Sequence, residues 1–337
     1  MNRRPSRVHA LSASDDINTG RGPFTGLSAF ALTPISEDRD SGIDEAAYSH
    51  LIARLADARV DSIAALGSTG SYAYLNRVER RRAVELAVAA AGDIPVIAGI
   101  GSTRTRDVLD HADDAQEAGA AALLLAPVSY QPLTEEEVYE LFREVDRAVS
   151  VPVVVYDNPG TTHFTFSDDL HARIAVLPHV RSIKIPPVDG GPAALEERVA
   201  ALRGKIPADV TIGISGDYVA AEALNAGFDA WYSVLAGVLP VPCRAITDAA
   251  IVGDVTRATD LSNQLTPLWE LFIDYGSYRV VSALAEELGL VSHPNLPRPV
   301  RGLESDARGR LRQAITILHE AGILEPGADQ AAGPRRE

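Results

Sequence analysis

The residues best suited to covalent chemistry are an amine, a phenol and a pair of hydroxyls, each at the end of an apolar run. The run Val180-Arg181-Ser182-Ile183-Lys184-Ile185 closes with Lys184 between apolar neighbours. The chain has two lysines, Lys184 and Lys205, against 29 arginines. Arginine meets the need for surface cations, so a lysine at a strand end invites a chemical explanation. A guanidinium stays protonated, whereas an ammonium can be driven by burial to its neutral, nucleophilic form. Lys184 is therefore a candidate to attack a carbonyl and form an imine, an electron sink that lets the adjacent carbon lose a proton or break a C–C bond. Tyr156 closes the preceding run, 28 residues earlier, in Val153-Val154-Val155-Tyr156-Asp157-Asn158-Pro159-Gly160. A phenol beside an amine can relay protons while a carbinolamine forms and collapses. Gly67-Ser68-Thr69-Gly70 follows another run and offers hydroxyls and backbone N–H groups to a carboxylate or phosphate. Lys205, in the polar stretch Arg203-Gly204-Lys205, has no such context.

These groups need strands to hold them. Eight apolar runs occur at Leu27–Leu32, Ser62–Leu66, Val96–Ile100, Ala122–Ala126, Val151–Tyr156, Val180–Ile185, Val210–Ile214 and Ala230–Leu235. They lack polar alternation, as strands buried on both faces do. Between them lie helical patterns, such as Ile43, Ala47, Leu51, Ile52 and Leu55, or Val138, Leu141, Phe142 and Val145 behind a Thr134–Glu137 capping box. A βα cadence of roughly 30 residues predicts a (β/α)8 barrel, with chemistry at the C-terminal ends of the strands. A doubly wound sheet would carry a glycine-rich turn after its first strand, and Thr33-Pro34-Ile35 stands there instead. The expected organisation is a polar tail at 1–24, the barrel at 25–240, a helical region at 241–325 and a second tail at 326–337. Leu265–Tyr275, Tyr278–Leu290 and Ala307–Leu318 carry the C-terminal helical patterns.

The whole-chain balance narrows the partners. With 337 residues and a net charge of −15, the chain does not present the basic face that nucleic acid or an anionic membrane requires. The longest apolar stretch, Gly119–Val128, is too short for a bilayer span of about 20 residues. Cys243 is the sole cysteine, and Met1–Phe24 has no apolar segment of the signal-peptide kind, so a reducing, cytoplasmic setting is expected. Eight scattered histidines show no metal-ligand spacing, and no metal or cofactor is expected. Arg77, Arg80, Arg81 and Arg82, interleaved with Glu79 and Glu85, read as the charged outer face of a helix, and His163 as a solvent-facing loop residue. Trp231 and Tyr232 read as core and pocket wall.

Taken together, the hydroxyl loop after strand two, the tyrosine after strand five and the lysine of strand six resemble the dihydrodipicolinate synthase / N-acetylneuraminate lyase family. The resemblance extends from Thr33-Pro34 and Gly42-Ile43-Asp44, through the Pro127 loop, to Ile214-Ser215-Gly216-Asp217. It implies a metal-independent lyase, an aldolase or dehydratase, in which Lys184 forms an imine with pyruvate or another 2-oxo acid. It further implies that Tyr156 shuttles the proton, that Ser68 and Thr69 between Gly67 and Gly70 hold the carboxylate, and that Gly216 lines the site. The implied assembly is a homotetramer, a dimer of dimers. Thr161 stands where dihydrodipicolinate synthases carry an arginine for the second substrate's carboxylate, which argues against the lysine-pathway reaction. Ser129 falls where the family presents a relay tyrosine to a neighbouring subunit, with Tyr130 one step later as its candidate replacement. Ser71 stands where a glutamate is common, and Ile185-Pro186 replaces a more usual acidic continuation. Two alternatives accompany this reading: the 4-hydroxy-tetrahydrodipicolinate synthase reaction itself, and a barrel without turnover that binds ligand or serves a structural role.

Overall fold

The computed structural model describes residues 22–36 and 42–324. Within them eight strands close a parallel barrel in sequence order: β1 Gly26–Phe30, β2 Ser62–Ala65, β3 Val96–Gly99, β4 Ala122–Leu125, β5 Val153–Tyr156, β6 Val180–Ile185, β7 Thr211–Ile214 and β8 Ala230–Ser233. Seven of the eight strands lie inside the apolar runs, and β1 begins one residue before its run, at Gly26. The closing pair β1–β8 aligns Gly26 with Ala230. Strand residues alternate between two layers, because successive side chains point to opposite faces. In β5, Val153 and Val155 join the large outer core under the helices, while Val154 and Tyr156 join the inner cluster with Phe30, Ile97, Leu124 and Tyr232. Small residues at Ala64, Ala122 and Ala230 leave room inside for those rings.

The helical layer follows strand by strand: α1 Glu45–Asp57, α2 Arg77–Ala90, α3 Thr105–Glu117, α4 Glu135–Ala148, α5 Asp168–Ala175, α6 Gly191–Arg203, α7 Ala220–Asn225 and α8 Pro240–Ile251. A single helical turn, Pro159–Thr162, precedes α5. The Thr134–Glu137 capping box forms as the sequence predicts, and α2 carries a second box, Asn76–Glu79. Beyond the barrel come α9 Val255–Gln264, α10 Thr266–Tyr275, α11 Ser277–Glu287 and α12 Ser305–Glu320. The helix that completes the eighth unit, α8, begins at Pro240, so the barrel's helical layer extends past the boundary expected there. Among the described residues no helix is long and apolar enough to cross a membrane.

Two expectations change. Residues 1–21 and 325–337, most of the two expected tails, lie outside the described residues, but Phe24 is buried in the inner cluster and belongs to the barrel. The arginine cluster of α2 is not wholly an outer face. Arg77, Arg81 and Arg82 are about half-exposed and pair with Asp110, Glu117 and Glu45 and with the buried Asp114. Arg80 is buried and donates to Gly99 O at 2.8 Å and Gly101 O at 2.9 Å, the carbonyls at the end of β3. It shares the inward stripe of α2 with Ala83, Val84 and Ala87, a helical spacing that its charge masks in a sequence reading.

Candidate active site

Register brings the amine and the phenol together. β5 pairs with β6 so that Tyr156 lies opposite Lys184, and the shared parity turns both side chains into the barrel. Lys184 is 3% exposed, and its Nζ lies 4.6 Å from the ring centroid of Tyr156, 5.1 Å from Phe30 and 5.8 Å from Tyr232. Burial among these rings drives the amine down from 10.5 to about 7, against the opposing pull of the Asp217 and Asp157 carboxylates. An appreciable fraction is then neutral at physiological pH. Tyr232 is held out of the way by a 2.6 Å hydrogen bond between its hydroxyl and Ser182 Oγ.

The Tyr156 hydroxyl meets Ser68 Oγ at 3.2 Å and accepts from Asn158 Nδ2 at 2.9 Å. Burial raises its pKa, which these two bonds partly offset, so the phenol stays protonated and able to donate. The same Asn158 amide reaches Ser68 Oγ at 3.3 Å and Thr161 Oγ1 at 2.6 Å. Asn158 is thus the hub that ties the loops after β2 and β5, a role hidden in the Tyr156–Gly160 motif because an amide beside a proline also reads as a turn residue.

The hydroxyl loop is shaped by backbone constraint. Leu66, at the end of β2, has φ +57, a left-handed conformation unusual for a branched side chain. Its carbonyl presses against β3, where a Cβ on Gly99 would lie 1.8 Å from Leu66 O. Gly67 lies against the Phe30 ring, where a Cβ would be 2.6 Å away, so the loop folds directly over the barrel mouth. Thr69 is buried and Ser68 partly exposed beside Tyr156. On the opposite rim Gly216 has φ +92 and packs on Pro187, where a Cβ would lie 2.6 Å from Pro187 Cβ. Asp217 next to it is buried and accepts from Ser233 Oγ at 2.6 Å and from Leu235 N at 3.0 Å, placing a carboxylate within electrostatic reach of Lys184.

Behind β5 the chain holds a buried pair that its sequence does not announce. Asp157 faces away from Tyr156, with Oδ2 3.5 Å from His171 Nε2, too poorly placed for a hydrogen bond. Burial pushes the Asp157 carboxyl up to about 7, although Arg198 and Lys184 favour its ionised form. Burial also lowers His171 to about 4, so the imidazole is neutral, stacked on Phe166 at 5.0 Å.

Of the residues singled out from sequence, Lys184, Tyr156, Ser68, Thr69, Gly67, Gly70 and Gly216 converge on the barrel mouth, with Thr161 joined through Asn158. Tyr130 is not brought to Lys184 within this chain and is 92% exposed. Lys205 is an exposed partner of Asp169 at 2.6 Å, a surface pair of small energetic weight. His163 is exposed in the loop after β5, as expected.

The comparisons agree with this architecture. Residues 23–318 match the model of the dihydrodipicolinate synthetase family. A 4-hydroxy-tetrahydrodipicolinate synthase from Halorhodospira halophila is 30% identical over 305 residues, 89% of this chain and 98% of the relative. Another from Methylobacterium radiotolerans is 31% identical over 312 residues, 90% of this chain and 96% of the relative. Among solved structures, a dihydrodipicolinate synthase from Agrobacterium tumefaciens is 47% identical, with TM-score 0.84 over 88% of this chain and 98% of its own. The pyruvate complex of the Acinetobacter baumannii enzyme is 28% identical, with TM-score 0.79 over 89% of this chain and all of its own. Over residues 23–318, from before β1 to near the end of the last helix, the chain belongs to the dihydrodipicolinate synthetase family.

Proposed function

We propose that the protein is a class I, Schiff-base lyase in which Lys184 forms an imine with pyruvate or another 2-oxo acid. The carrying observation is the buried Lys184 amine facing Tyr156, whose hydroxyl is tied to Ser68. The neutral amine adds to the keto carbon. Tyr156 then protonates the carbinolamine hydroxyl, which leaves as water while the nitrogen lone pair closes the C=N bond. Ser68, Thr69 and the Gly67–Gly70 backbone receive the substrate carboxylate, and Gly216 keeps the opposite rim narrow. The iminium withdraws electrons from the adjacent carbon, allowing aldol cleavage, condensation or dehydration. Thr161, bonded to Asn158 and uncharged, offers no cation to a second carboxylate, which favours a hydroxylated, uncharged aldehyde portion of a sugar-acid-like substrate. The single, buried cysteine supports a reducing cytoplasmic setting, and the family resemblance supports assembly as a tetramer of paired dimers.

The names of the relatives favour a second reading, the 4-hydroxy-tetrahydrodipicolinate synthase reaction. One experiment addresses the imine: incubation with pyruvate or a panel of larger 2-oxo acids, reduction with borohydride, and intact mass. An adduct in the wild type that vanishes in Lys184→Ala is expected. No adduct from any acid in the panel would sink the Schiff-base assignment, and one that persists in Lys184→Ala would move it to another residue. Steady-state turnover of pyruvate with the carboxylate-bearing aldehyde of the second reading, against hydroxylated 2-oxo acids, separates the two substrate classes.

A further inference from the structure

Asn158 precedes the single turn Pro159–Thr162, at the position where an asparagine side chain ordinarily caps a helix by accepting from a backbone N–H of the first turn. Here its side chain makes no such bond. The backbone carbonyl of Asn158 is instead anchored by Thr161 N at 3.1 Å, Thr162 N at 3.0 Å and Thr162 Oγ1 at 3.0 Å, which fixes the residue and turns its amide to the barrel mouth. The amide nitrogen has two hydrogens and only donates. Three hydroxyl oxygens stand within its reach: Thr161 Oγ1 at 2.6 Å, Tyr156 Oη at 2.9 Å and Ser68 Oγ at 3.3 Å. The Tyr156 oxygen is therefore an acceptor toward Asn158. Its own hydrogen is left for Ser68 Oγ, 3.2 Å away, or for a reacting group. Tyr156 is 7% exposed, so a phenolate here loses most of its hydration and depends on donors supplied by the protein.

Resting on the Schiff-base reading, we propose that Asn158 is a catalytic residue, an amide donor that holds the charge of the Tyr156 phenolate each time the phenol gives up its proton. As the imine forms, the Tyr156 proton goes to the carbinolamine hydroxyl, the C–O bond breaks, water leaves and the nitrogen lone pair closes the C=N bond. The phenolate left behind accepts the Asn158 N–H, and the Ser68 hydroxyl turns to donate a second hydrogen bond. Bonds to an ionised oxygen are roughly twice as strong as neutral ones, so both donors favour the charged state over the resting phenol. On release, water adds to the iminium carbon and returns its proton to the phenolate, which restores the phenol.

The test uses the full chain with saturating pyruvate, or the larger 2-oxo acid that traps best, quenched with borohydride at successive times. Intact mass then reports the rate of imine formation. Asn158→Asp keeps the shape and lets the three hydroxyls donate in return, so the loops stay tied, but an ionised carboxylate has no hydrogen to offer. At pH 8 its rate should fall at least about tenfold, with the apparent affinity for the acid within about threefold of the wild type. Toward about pH 4 the new carboxyl regains a hydrogen, and the ratio of wild-type to variant rate should narrow. Asn158→Leu, neutral and without a donor, should be slow by the same ratio at both pH values. A wild-type rate in Asn158→Asp at pH 8 overturns the proposal, since an amide turned to accept from the hydroxyls would be replaced without loss. So does a wild-type rate in Asn158→Leu, or a slow Asn158→Asp whose ratio to the wild type stays constant down to about pH 4, which marks distortion of the loops. Should Asn158→Leu fail to fold, the pH profile of Asn158→Asp decides alone. A wild type that traps no 2-oxo acid is a different outcome and removes the Schiff-base reading itself.

Discussion

At the scale of single residues, Lys184 shows how a fold changes the chemistry of a side chain. The amine sits among Phe30, Tyr156 and Tyr232, where its charged form loses hydration that the rings replace only in part. Its proton affinity falls from 10.5 to about 7, with burial as the main cause. Between those two pH values the unfolded chain binds a proton that the folded chain does not, so stability rises with pH across that window. Below about 7 both states are protonated and the full penalty is present. Lys184→Met should therefore be more stable than the wild type at pH 7 by a few kcal/mol, at about 1.4 kcal/mol for each tenfold change in proton affinity. Urea unfolding at pH 7 and pH 10 measures this, and the gain should shrink at the higher pH. Imine formation should accelerate as pH rises through about 7 and then level off, because only the neutral amine attacks. A stopped-flow rate that is flat from about pH 6 to 9 would show that the amine is not tuned in this way.

At the scale of elements, the β2–β3 contact decides where the hydroxyl loop lies. Leu66 is held at φ +57 with its carbonyl against Gly99, so the turn into Gly67 depends on the missing Cβ of a neighbouring strand. Gly99→Ala must separate β2 from β3 or rotate Leu66 back, and either should cost about 1–3 kcal/mol of stability, as overpacking does. It should also raise KM for the 2-oxo acid, because Ser68 and Thr69 move with the loop. Wild-type values of both Tm and KM in this variant would refute the argument. The eight strands were legible because an apolar run spaced by one helical unit has few other solutions, and register then made neighbours of Lys184 and Tyr156. Parity along β5 and β6, the property that turns both inward, can be read from the same runs. What could not be read were contacts made across many residues by ambiguous side chains. Arg80 looks like its surface neighbours until its helical phase is known, and Asn158 looks like a turn residue. Asp157 and His171 are separated by a helix entry.

At the scale of the whole molecule, a net charge of −15 means that the overall field does not draw in an anionic 2-oxo acid, so attraction must be local to the barrel mouth. That places weight on whatever fixes the loops there, and the C-terminal helices serve this purpose. Ile35, after β1, donates its N–H to Asn295 O at 2.9 Å, and Asn295 is held in turn by Ser282 and Glu286 of α11. Ser71, which follows Gly70 directly, sits at φ +60 with its Oγ 2.6 Å from the Tyr278 hydroxyl of α11. A serine in the left-handed region costs about 1–3 kcal/mol and persists only where surrounding contacts dictate it. Tyr278→Phe removes one such contact while leaving the ring in place, and should lower stability by about 1 kcal/mol, the net worth of a hydrogen bond. If the helical region steadies the anion-binding loop, the same change should raise KM for pyruvate several-fold and leave the pH midpoint of imine formation unmoved, since Lys184 does not touch α11. Ser71→Ala should do the same, and the double variant should cost less than the sum of the two singles by about 0.5–1.5 kcal/mol. Additive losses would mean that the two hydroxyls act separately. A fall in stability with KM unchanged would mean that α11 supports the barrel without steadying its mouth.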